Sequence, residues 1–134
     1  MILLACADDA FGMMFNGRRQ SQDRVLREYI RNLTAGRRLW MNAYSRGQFS
    51  EPGAYRVDEA FLEKAGEGEF CFVEDQELSD FRDRIEKVIL FRWNRKYPAD
   101  FYFDRSLIAG WTLHVAAEFP GSSHERITRE DYER

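Results

Sequence analysis

Asp23 is the residue best placed for proton chemistry. Val25, Leu26, Tyr29, Ile30 and Leu33 recur at helical spacing, so a helix is expected over 21–33 with Ser21 as its N-cap and Gly36 ending it. Asp23 then falls in the first turn. A partly buried carboxylate with a raised pKa would suit ligand binding or proton handling there. The commoner role is structural, an acid favoured by the helix dipole and paired with Arg27 four residues on. Arg18, Arg19, Arg24, Arg27 and Arg31 form a basic series. Arginine forks suit phosphates and carboxylates, although a solvated helix face is the commoner reading. Glu74, Asp75 and Glu77, with Asp80 and Asp83 nearby, read as a cation or basic-partner site, or more simply as an acid-rich helix start. Arg92 to Tyr97 interleaves cations with aromatics, as single-strand-binding surfaces do, and reads equally as a strand exit before Pro98.

Other chemistries find no support. Only His114 and His124 are present, and no CxxC or HExxH arrangement occurs, so no metal is expected. No GxSxG elbow, Walker A loop or GxGxxG appears. Cys6 and Cys71 each lie in an apolar run and read as buried free thiols of a reducing cytoplasm. A net charge of −3 gives no global attraction to nucleic acid. No apolar run is long enough to span a membrane. The opening Met1 to Ala7 lacks a basic flank and meets Asp8 and Asp9, which favours a buried first strand over a signal peptide.

These side chains need elements to position them. Strands are expected at 2–7, 38–43, 70–73, 88–91, 101–103, 111–116 and 127–132, with short helices at 57–65 and 78–85 and a loop over 8–20. Alternating strands and helices imply an α/β domain with a mostly parallel sheet, and the late strands imply an antiparallel edge.

The order of residues resembles dihydrofolate reductase along nearly the whole chain. Ile2 to Ala7, Gly12-Met13 and Asn16 resemble that family's first strand and mobile loop, and Asp23 matches its pterin-binding acid. Arg38 to Met41 with Asn42-Ala43-Tyr44-Ser45 resembles its second strand and phosphate-binding turn, which makes Ser45 a ligand-contacting position. Val57-Asp58-Glu59-Ala60, Ile85 to Leu90, Ala99 to Phe103, Trp111, Glu118-Phe119, His124 and Tyr132 to Arg134 continue the order. The resemblance implies a shortened mixed, mostly parallel sheet flanked by helices.

Departures from the family bear on function. Adjacent glycines that would open a helix toward a cofactor diphosphate are replaced by Glu74-Asp75-Gln76-Glu77. The phosphate-binding arginine is absent from the Asn42 to Ser45 turn, and about twenty residues are missing between Phe49 and Tyr55. The expectation is a small-ligand or partner-binding protein that uses no NADPH and no other cofactor. Its ligand contacts would come from Arg18, Arg19, Arg24, Arg27 and Ser45. The alternative is an NADPH-independent enzyme acting on a nucleotide-like or pterin-like anion through Asp23.

Overall fold

Strand β1 (Ile2–Ala7) is buried along nearly its whole length, as an unbroken apolar run without a polar face requires. The computed structural model describes residues 1–134. In chain order there follow β2 (Gly12–Phe15), β3 (Arg18–Arg19), α1 (Arg24–Leu33), β4 (Leu39–Met41), α2 (Ala43–Arg46), β5 (Tyr55–Val57), α3 (Phe61–Lys64) and β6 (Phe70–Phe72). A 3-10 helix at Ser79–Arg84 leads to β7 (Lys87–Arg92) and β8 (Phe101–Tyr102). A second at Arg105–Ile108 leads to β9 (Thr112–Phe119) and β10 (Ile127–Glu133).

Seven strands form one sheet in the order β5-β4-β6-β1-β7-β10-β9. The first five run parallel, and β10 pairs antiparallel with both β7 and β9. The expected α/β class, mostly parallel sheet and antiparallel late edge are all observed. A separate antiparallel ribbon, β3-β2-β8, stands beside the main sheet.

Alternation along the strands divides the core in two. Leu3, Ala5, Cys71, Val88 and Leu90 face one cluster with Phe61, Leu62 and Ile85. Leu4, Met41, Phe72, Ile89 and Phe91 face the other, closed by Leu26 and Ile30 of α1. Each fully buried aliphatic side chain of this kind contributes about 2 kcal/mol.

Several local expectations are corrected. The first helix begins at Arg24, and its N-cap is Asp23, not Ser21. Residues 55–57 form a strand, so the expected helix over 57–65 shrinks to one turn at 61–64. Exposed Val57 offers no apolar face for a longer helix to bury. The segment 78–85 holds only the 3-10 helix Ser79–Arg84, which buries none of its own residues, while Leu78 and Ile85 flanking it are in the core. The expected loop over 8–20 contains β2 and β3.

Candidate functional site

The carboxyl ends of β1, β4 and β6 open on one side of the sheet, where α/β folds ordinarily place a ligand crevice. The loop after β1 is fixed by Asp8, whose buried carboxylate accepts from the N–H groups of Ala10 (2.8 Å), Gly12 (2.7 Å) and Tyr97 (3.1 Å) and from Gln20 Nε2 (3.0 Å). Burial pushes its pKa up, and these donors more than offset that and hold it below the ordinary value. Gly12 is required there, since a Cβ would come within 2.6 Å of Ala99 Cβ.

After β4, Asn42 caps α2 by accepting from Ser45 N–H at 3.0 Å and donates from Nδ2 to Asp75 Oδ1 at 2.9 Å. After β6, no helix begins: residues 73–78 are irregular. The acid-rich helix start expected at Glu74 to Glu77 is therefore corrected. Glu74 turns inward instead and is 8% exposed. Arg19 grips it with a two-pronged pair, Nε to Oε2 at 2.9 Å and Nη2 to Oε1 at 3.1 Å, while Ser45 Oγ donates to Oε1 at 2.8 Å. Arg19 also donates to Tyr44 O and lies 4.4 Å over the Tyr44 ring.

This network fills the crevice. The space left among Cys6, Met13, Gln20, Ser21, Gln48 and Trp93 is about 10 Å³, room for one water at most. Two acceptors beside it, Gln20 Oε1 and Gln48 Oε1, have no partner in the chain. Gln48 is buried.

Asp23 lies in a second polar cluster behind the crevice. Its Oδ1 accepts from Val25 N–H (2.9 Å), Leu26 N–H (3.2 Å), Ser122 N–H (3.0 Å) and Ser122 Oγ (3.2 Å). Its Oδ2 faces Ser123 N–H (2.8 Å), Ser123 Oγ (3.4 Å) and His124 Nδ1 (3.0 Å). Burial raises the carboxyl pKa, but His124 and the N–H groups of Ser122, Ser123 and Leu26 outweigh it and hold the group well below its ordinary 3.8. The shift runs opposite to the one expected from burial alone, because the site is dense in donors. A Cβ at Gly121 would strike this carboxylate. His124 stacks on Trp93 with centroids 4.3 Å apart. Its Nε2 faces Ser21 Oγ at 3.1 Å and Tyr97 Oη at 3.0 Å.

The arginines do not converge on one point. Arg19 alone enters the crevice, while Arg18 is exposed at the ribbon edge and Arg24 is exposed on α1. Arg27 pairs with Glu51 at 3.3 Å, not with Asp23 as the helical spacing suggested, and Arg31 donates to Pro52 O. Ser45 and Arg19 are brought together on Glu74. Ser21, Trp93, Tyr97 and His124 were missed as site residues because nothing in their spacing links them; His124 lies 101 positions from Asp23. No helix is long and apolar enough to cross a membrane. Compared with family models and with curated proteins, the chain matches none.

Proposed function

We propose that the chain is a shortened dihydrofolate reductase-like protein that binds a small ligand or a partner without NADPH-dependent reduction. The resemblance is supported by the mostly parallel sheet with its antiparallel late edge, by Gly12-Met13 opening the strand that follows β1, and by Asp23 at the start of the first helix. The single observation that carries the loss of NADPH use is the Arg19–Glu74–Ser45 network where a diphosphate would need bare main chain. A diphosphate entering there meets a carboxylate whose one cationic partner is already engaged, with Asp75 beside it. Nor does a helix begin directly after β6 to receive it.

The alternative, an NADPH-independent enzyme on a nucleotide-like or pterin-like substrate, is favoured by one feature. The unpartnered oxygens of Gln20 and Gln48 are acceptors that a ring amino group would satisfy. Anything larger than water enters only if Arg19 swings away from Glu74.

A thermal-shift screen of NADPH, pterins, folates and nucleotides tests both. NADPH is expected to leave the melting temperature unchanged. A ligand at a hundred times its Kd adds about 2.7 kcal/mol, so a clear NADPH shift overturns the proposal. A shift with a pterin alone names the ligand, and conversion of that pterin in the absence of NADPH selects the alternative.

A further inference from the structure

From the geometry we infer that Ser21, His124 and Asp23 form an acyl-transfer relay in which Ser21 Oγ is a nucleophile toward small esters. The inference stands apart from the scaffold reading, since it rests on distances that no NADPH result changes.

Three conditions define such a relay: a hydroxyl bonded to an imidazole nitrogen, the other nitrogen bonded to a carboxylate, and a carboxylate held ionised and fixed. Ser21 Oγ lies 3.1 Å from His124 Nε2, and His124 Nδ1 lies 3.0 Å from Asp23 Oδ2. Six further contacts fix Asp23, and its depressed pKa keeps it anionic, so Nδ1 donates to it. In the neutral imidazole Nε2 then presents a lone pair to Ser21. The His124 side chain is 1% exposed and braced by Trp93. Ser21 is only half-buried: its inner side lines the crevice cavity, while Gln22, Ser122 and Ser123 are exposed. In this relay the ester approaches Oγ from that exposed side. The N–H groups of Ser21 and Gln22 donate to no atom of the chain and are the main-chain donors nearest in sequence for a developing oxyanion.

In the step itself, Oγ bonds to the ester carbonyl carbon as its proton passes to Nε2. The bond to the leaving alkoxide breaks as Nε2 returns that proton to the departing oxygen. Water then cleaves acyl-Ser21 by the same exchange, giving one acid and one alcohol. Asp23 is a positioning residue, acting through the His124 tautomer. Tyr97 Oη, 3.0 Å from Nε2, competes with Ser21 for the one lone pair.

The test is labelling of the intact protein with a fluorophosphonate, with peptide mapping of the adduct, alongside hydrolysis of 4-nitrophenyl acetate. The expected adduct is on Ser21, absent in Ser21→Ala, whose hydrolysis falls roughly 100-fold. Tyr97→Phe is expected to label faster, and an adduct on Ser21 in that variant alone still supports the relay. Asp23→Asn, assayed where circular dichroism shows it folded, is expected to label at least about tenfold more slowly. Its amide favours the tautomer that leaves no lone pair on Nε2, an effect that loss of a helix cap alone does not produce. An adduct missing from Ser21 in both the native protein and Tyr97→Phe, or equal hydrolysis by Ser21→Ala, overturns the inference.

Discussion

Asp23 concentrates more hydrogen bonds than any other side chain of the crevice region, and its removal has a defined signature. In Asp23→Asn, one face of the side chain carries N–H where Ser123 and His124 also offer donors. The cost, a weakened cap plus unsatisfied buried donors, is about 3 kcal/mol at neutral pH. Because the folded pKa is depressed, the charge contributes its full stability above the ordinary value of 3.8 and loses it as pH falls toward the folded value. Urea unfolding of both proteins should therefore show a constant gap from pH 7 to about 5 that narrows below about 4. A gap independent of pH over that range would contradict the assigned ionisation. The carboxylate's place at the start of α1 was readable from the sequence. Its partners were not, since residues 121–124 reach it only after the chain has crossed the sheet. Glu74 was misjudged for a related reason: a run of acids reads as solvent-facing, and the guanidinium that pulls it inward lies 55 positions away.

At the level of elements, apolar runs over 2–7, 70–73 and 88–91 announced the buried parallel strands because no polar residue interrupts them. Strands of two or three residues such as β3 and β5 carry too few side chains to show a period in the sequence. Strand β9 is the strand most open to solvent, with Leu113 46% and Val115 57% exposed at a sheet edge. Its pairing with β10 skips Ala116, since Val115 faces Glu130 and Ala117 faces Arg129. A bulge of this kind bends an edge strand and spoils it as a template for another strand. Deleting Ala116 should restore a regular ladder and expose a straight, weakly charged edge. Sedimentation velocity is expected to show concentration-dependent association in the deletion variant beyond that of the parent. Identical behaviour would assign the bulge no protective role.

Across the whole molecule, two thiols report on the integrity of both core layers. Burial pushes Cys71 up to about 12, and burial followed by the nearby Glu74 charge raises Cys6 well above its ordinary 9.0. Cys6 keeps some surface at solvent but lines the crevice cavity. A disulfide exchange reagent at pH 8 is expected to find neither thiol in the native protein and both in denaturant. One fast-reacting thiol in native buffer would show the crevice opening. The bonds from residues 122–124 to Asp23 also constrain how the chain is made. The first helix receives its last cap ligands 101 positions after Asp23 itself, which at ~5–20 residues per second is about 5–20 s of synthesis. A nascent chain on the ribosome holds β1 and α1 without their closing clasp for that interval, so chaperones have the half-made domain to themselves until its final segment emerges.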